Sequence, residues 1–325
     1  MKSLAVQSKD DTKISNIKLM NIDEPVISDD EILIKVHAVG LNPVDYKLVE
    51  QHNKAWNYPH ILGLDAAGEI IKVGTNSKNL KIGQRVFFHS DLSKDGVFAE
   101  YAKAKYNTVA HIPDNVTYEE AASILCSGLT AYQAIYRKVS LSGKKNILIH
   151  AGAGGVGTIA IQLAKIAGLT VITTVSEFKK DIVKSLGADY VIDYHNENVT
   201  DRINEITNGD GVDIIINDIG NPEEDLARLA YNGALICILE TPDLTNYNLS
   251  SKGQSVSSLN LGGVHQSNYQ NQLNDLSVMA EALAKLISEN KLDPVITKRI
   301  KFKDIPKGLE ELINHKTIGK IVATI

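Results

Sequence analysis

The chain has 325 residues, 43% of them apolar and 22% charged, with a formal net charge of -5. That length suits two domains, and the composition is ordinary for a globular protein. The acidic balance, with no block of five like charges, argues against a nucleic-acid partner. No apolar run approaches the roughly 20 residues that span a bilayer, and residues 1–20 read as neither signal peptide nor anchor; the expected location is cytoplasmic. Two cysteines, Cys126 and Cys237, exclude a disulfide framework and a four-cysteine zinc site, and both read as small buried hydrophobes.

In chain order, the first third is β-rich. Residues 31–39 alternate, with Ile32, Ile34, Val36 and Ala38 on one face, and 68–73 and 84–88 are further strands punctuated by glycines. No helical period is expected before residues 118–138. Residues 146–151 then form a short apolar strand, 155–167 a helix, 170–175 a β-branched strand followed by a helix to 186, and 190–192, 212–217 and 234–239 continue the alternation. Strand and helix at this spacing predict a parallel sheet covered on both faces with right-handed crossovers. A helix over 276–290, a strand near 295–300, a helix over 306–315 and a terminal strand over 320–325 close the chain, and the last strand is expected to return to the first domain.

The most specific motif is Ala151-Gly152-Ala153-Gly154-Gly155-Val156-Gly157, a G-x-G-x-x-G that follows a strand and opens a helix. Gly152 permits a tight turn, Gly154 lets backbone N–H groups approach a pyrophosphate, and Gly157 lets helix and strand pack closely. The helix N-terminus supplies donors for the anion. An NAD enzyme usually carries an acidic residue at the tip of the next strand. Here the tip is Ser176, followed by Lys179 and Lys180, which suits a 2′-phosphate and hence NADP(H). Glu177 keeps NADH open.

Together with Gly40-Leu41-Asn42-Pro43-Val44-Asp45-Tyr46-Lys47, Leu62-Gly63-Leu64-Asp65-Ala66-Ala67-Gly68, Gly128-Leu129-Thr130-Ala131-Tyr132, the run from Leu186 to Tyr194 and the terminal Gly319-Lys320-Ile321-Val322, this motif resembles the medium-chain dehydrogenase/reductase superfamily on its zinc-independent quinone-oxidoreductase side. The resemblance runs in order over nearly the whole chain. It implies an α/β protein: a GroES-like β-rich catalytic domain from residues 1–121 and 266–325, and a Rossmann doubly wound parallel-sheet domain, 122–265, that binds the nucleotide. It also implies an active site in the cleft between them and a homodimer, which could join along sheet edges near 255–261.

The zinc alcohol dehydrogenases of that superfamily place a cysteine where this chain has Asn42, a histidine at Leu64 and a third ligand near Cys126, so no catalytic metal is expected. Without a Lewis acid, hydride would go to an acceptor that is already electron-poor, a quinone or an α,β-unsaturated carbonyl. By resemblance Asn42 would sit near the nicotinamide, Tyr46 is a possible oxyanion donor, and Asp45 would orient its neighbours. Thr130 would contact a cofactor phosphate or the nicotinamide ribose, Gly155 and Val156 the pyrophosphate, and Ser176, Lys179 or Lys180, and Tyr194 the 2′-phosphate. Gly220 would allow close approach of the cofactor, and Leu239 with Glu240 would end the next strand at the ligand edge. His265 and Gln266 are expected at the edge of the nicotinamide pocket. The competing readings are a zinc-type alcohol dehydrogenase and a non-catalytic NADPH sensor.

Overall fold

A computed structural model describes every residue except Lys78, Asn268 and Lys316. The chain divides into two compact units, Met1–Leu129 with Leu261–Ile325, and Thr130–Asn260. These seams lie at 129/130 and 260/261, against the 121/122 and 265/266 expected from sequence. Two contacts hold the extra residues in the first unit: the Cys126 amide donates to Asp65, and the turn Gly262–Gln266 brings His265 beside His89.

In the first unit a seven-stranded sheet is organised on Glu31–Gly40. This strand pairs antiparallel with Asp65–Val73 along its length, with Tyr101–Lys105 at its start and with Lys320–Thr324 at its end. The terminal strand therefore returns to the first unit, and it also pairs parallel with Ile296–Lys301. Alternation describes Glu31–Gly40 incompletely, because Leu33 and Val39 are buried as fully as Ile32 and Ile34. The helix Tyr118–Ser123 packs on this strand and on Asp65–Val73, so both faces of Glu31–Gly40 are covered.

The sequence reading missed a helix, Pro43–Gln51, where a loop was expected. Pro43 stands at its first position, where a missing N–H is harmless, and Asn42 with Asp45 makes a capping box in which Asp45 Oδ2 accepts from the Asn42 amide at 2.7 Å. Its buried face consists of Asp45, Tyr46 and Val49. With a carboxylate on that face, the apolar period is hidden.

The second unit is a six-stranded all-parallel sheet. Its order is Tyr190–Asp193, Thr170–Val175, Asn146–Ile149, Val212–Asn217, Leu229–Cys237, Ser255–Ser258. Numbered along the unit this is 3-2-1-4-5-6, the doubly wound dinucleotide-binding order. Ile147, Leu148, Ile149, Ile214, Ile215 and Ile216 are all buried, as a central parallel sheet covered on both faces requires. The order reverses between Asn146–Ile149 and Val212–Asn217, and in such sheets ligands bind beyond the carboxyl ends at that switch point.

Candidate active site

In the second unit, the strand Asn146–Ile149 leads through His150 and the turn 151–157 into the helix Gly155–Ile166. A Cβ on Gly152 would lie 1.9 Å from Thr173 Oγ1, and one on Gly157 would lie 2.5 Å from the Ala151 carbonyl oxygen. These two glycines are fixed by packing. Gly154 differs: its Cβ would meet only the Ala151 oxygen, at 3.2 Å. Gly154 is also the N-cap residue, and no side chain caps the helix. The first-turn amides are thus left for an anion, with no Cβ in front of them.

Behind this turn lies a buried network. His150 Nδ1 is 3.0 Å from Thr174 Oγ1, and its Nε2 is 3.0 Å from Asp225 Oδ1. Asp225 also accepts from Arg228 and from Asn217, each at 2.8 Å. Burial opposes the charge on Asp225, but the hydrogen bonds from His150, Asn217 and Arg228 outweigh it and hold the carboxyl below its ordinary range. The Asn217 side chain in turn accepts from the amides of Ile219 and Gly220 at 3.1 and 3.0 Å, and Gly220 has φ 80° with Glu240 Oε1 beside it. One imidazole and one carboxylate therefore tie the glycine turn to the turn that follows Val212–Asn217. The only sequence sign of this network is a histidine ending an apolar strand.

At the tip of Thr170–Val175, Ser176 Oγ lies 3.2 Å from Tyr194 OH and 3.3 Å from His195 Nε2. Ser176 and Tyr194 are neighbours, with His195 as an unforeseen third. Lys180 is held by Glu177 at 2.6 Å and lies 4.0 Å from Glu197. Glu177 is thus turned to Lys180; both lysines are half-buried, and burial lowers the pKa of Lys179. Thr130 is buried at the start of the helix Thr130–Tyr136, while Leu239 is exposed just beyond Leu229–Cys237.

In the first unit, Asn42 is buried and both ends of its side-chain amide have a partner. Asn42 Nδ2 donates to Asp65 Oδ2 at 2.8 Å, and its Oδ1 accepts from Lys320 Nζ at 2.6 Å. Lys320 also donates to the Leu41 carbonyl at 2.9 Å and lies 3.9 Å from Asp65. Burial, reinforced by the charge of Asp65, pushes the Asp45 carboxyl up to about 8, and burial pushes Asp65 to about 6. Tyr46 is buried in the apolar core of this unit, and burial raises the pKa of its phenol. Asp65 and Lys320 escaped the sequence reading as functional residues although both lie inside quoted motifs. A charged residue opening the otherwise apolar run Ile321-Val322-Ala323 was the available signal.

The donor set does not fit a catalytic zinc, which needs three protein ligands. Leu64 cannot coordinate, and the amide oxygen of Asn42 already faces the Lys320 ammonium.

Two family models match: "Alcohol dehydrogenase GroES-like domain" over residues 28–114 and "Zinc-binding dehydrogenase" over 155–277. Quinone oxidoreductase of Sus scrofa is 31% identical over 92% of this chain and 90% of its own length. The chain belongs to the medium-chain dehydrogenase/reductase superfamily, on its quinone-oxidoreductase branch. 2-Methylene-furan-3-one reductase of Solanum lycopersicum is 34% identical over 74% of this chain and 63% of its own length. Among solved structures, mycobacterial Rv1454c complexed with NADPH is 28% identical and superposes over 100% of both chains with a TM-score of 0.86. The fold class expected from sequence, GroES-like plus Rossmann, is the one found.

Proposed function

We propose that this chain is a zinc-independent reductase that passes hydride from NADPH to a quinone or an α,β-unsaturated carbonyl. The observation that carries the reading is the glycine turn, where Gly154 opens uncapped amides and Gly152 and Gly157 have no room for a side chain. It stands in a chain whose relatives are named quinone oxidoreductase and 2-methylene-furan-3-one reductase and whose structural relative holds NADPH. When bound, the nicotinamide supplies the hydride.

The chain's own groups would do the rest. The amides of Gly155, Val156 and Gly157 would receive the pyrophosphate, Thr130 the adjoining phosphate or ribose, and Gly220 and Leu239 would border the cofactor. Ser176, Tyr194 and Lys179 would surround the 2′-phosphate, and Lys180 would hold Glu177 away from it. Asn42, fixed by Asp65 and Lys320, would present a rigid amide edge to the nicotinamide, with Asp45 capping its helix and Tyr46 packing beside it. Rigid placement of this kind is what a hydride transfer needs from a protein. The protein is expected to be a cytoplasmic homodimer; among the described residues no helix is long and apolar enough to cross a membrane.

The test is loss of NADPH or NADH absorbance with a quinone, a 2-alkenal, a cyclic enone and a simple aldehyde, before and after chelator. Turnover of a quinone or an enone, with NADPH preferred and chelator without effect, is expected. Activity confined to the simple aldehyde and abolished by chelator would overturn the reading.

A further inference from the structure

The glycine turn begins with a strained residue that is not a glycine. Ala151 has φ 49°, in the left-handed region that costs energy for a residue with a Cβ. Thr174, on the neighbouring strand Thr170–Val175, holds it there. The Thr174 hydroxyl oxygen accepts from the Ala151 amide at 3.3 Å, and the Thr174 carbonyl accepts from the Gly152 amide at 3.1 Å. The Ala151 carbonyl accepts in turn from the Gly154 amide at 2.8 Å. The conformation of Ala151 therefore decides how the chain enters the helix Gly155–Ile166 and where its open amides face.

Behind Thr174 stands His150, with a partner on each ring nitrogen. The direction of one bond follows from its neighbours. Asn217 Oδ1 receives two backbone N–H groups, so Asn217 Nδ2 is the atom turned to Asp225, and Arg228 can only donate. Asp225 thus has donors on both oxygens and stays ionised, and His150 Nε2 must carry a proton to bond it. His150 Nδ1 is left to the Thr174 hydroxyl. The bonds run without a break from the Ala151 amide through Thr174, His150, Asp225 and Asn217 to the amides of Ile219 and Gly220. All four side chains are buried, and a buried network whose members are satisfied is rigid. Its two ends are the turns that follow Asn146–Ile149 and Val212–Asn217, the strands between which the sheet order reverses.

We propose that His150, with Thr174 and Asp225 on its two ring nitrogens, is a positioning residue for the dinucleotide: it fixes strained Ala151, and with it the open amides of the glycine turn, against the turn at Ile219 and Gly220 before any cofactor arrives. This rests on the reading of the glycine turn as a pyrophosphate site. The imidazole touches no ligand and acts only through the two turns. A turn already in place spares the ligand the cost of ordering it, and that saving appears as affinity.

The test compares two ligands on the full chain by calorimetry. One is NADP⁺; the other is adenosine 2′-monophosphate, which carries the phosphate assigned to Ser176 and Tyr194 but no pyrophosphate. Thr174→Val removes the hydroxyl and keeps the shape of the side chain. It should bind NADP⁺ about tenfold more weakly, the effect of leaving a buried amide without its acceptor, and adenosine 2′-monophosphate within twofold of the parent. Thr174→Ser, which restores the hydroxyl, should return NADP⁺ affinity to within threefold. An NADP⁺ affinity within twofold of the parent in Thr174→Val, equal losses for the two ligands, or no rescue by serine would overturn the assignment; the first two are what a merely structural role gives. Should Thr174→Val fail to fold, Thr174→Ala is judged by the same ratios. In 15N–1H spectra of the unaltered chain the His150 ring should carry its proton on Nε2, and a ring protonated on Nδ1 alone would also overturn the assignment. A parent protein that binds neither NADP⁺ nor NAD⁺ would sink the dinucleotide reading itself, and this proposal with it.

Discussion

At the scale of single residues, the first unit buries Asp45, Asp65 and Lys320 as one cluster. Lys320 holds the Asn42 oxygen, the Leu41 carbonyl and the edge of Asp65. Removing one partner of a buried charged pair leaves the other uncompensated, at a cost of about 3–5 kcal/mol. Lys320→Met is therefore expected to be destabilised by about that amount, read as a lower urea midpoint at unchanged slope. The neighbouring Asp45 titrates the other way. Its folded pKa is about 8, against 3.8 for an ordinary aspartate, so between roughly pH 4 and pH 8 the folded chain keeps a proton that the unfolded chain gives up, and stability falls as pH rises through that window. Asp65 adds the same sign over a narrower window, up to about 6. Asp45→Asn keeps an oxygen for the Asn42 amide and removes the titration. It should be more stable than the parent at pH 8 by on the order of 1–3 kcal/mol, with the gap closing toward pH 4. Melting curves that stay parallel across this range would contradict the assignment. None of this cluster was legible beforehand as a cluster, because Asn42 and Lys320 are 278 residues apart and periodicity reports only neighbours along one element.

At the scale of elements, the glycine turn was legible because strand, turn and helix are consecutive, and each glycine answers a local demand. The structure adds that the demands differ, and this separates two variants. Gly157→Ala would press a methyl group against the backbone of residues 151 and 152; it should lose about 1–3 kcal/mol of stability. Gly154→Ala has only one contact, at 3.2 Å, so its melting temperature should stay near the parent value while NADPH affinity falls tenfold or more. Equal loss of stability in the two variants would refute the distinction. At the tip of Thr170–Val175, Lys179→Ala should raise the KM for NADPH about tenfold with little change for NADH, whereas Lys180→Ala, by releasing Glu177, should narrow the gap between the two cofactors. Pro43–Gln51 was not legible as a helix, for its packed face carries Asp45 beside Tyr46 and Val49.

At the scale of the whole molecule, the parallel sheet ends in the four-residue strand Ser255–Ser258, which pairs with Leu229–Cys237. If the proposed homodimer joins along this edge, light scattering should give twice the chain mass of 35.4 kDa. In a parallel ladder successive N–H groups alternate sides, so one of Val256→Pro and Ser257→Pro removes an outward donor and should return the mass to that of one chain. A parent protein already at the single-chain mass, or two variants that both stay dimeric, would remove the edge from consideration.

The bond between Asn42 and Lys320 also sets a timetable. A ribosome adding about 5–20 residues per second needs roughly 15–60 s to travel the 278 positions between them. During that interval Asp65 and the Asn42 amide have been synthesised without their cation, while every strand of the nucleotide-binding sheet is made in between. The second unit can take up its cofactor before the first can complete the site around Asn42, so on the nascent chain nucleotide binding is expected to precede catalytic competence.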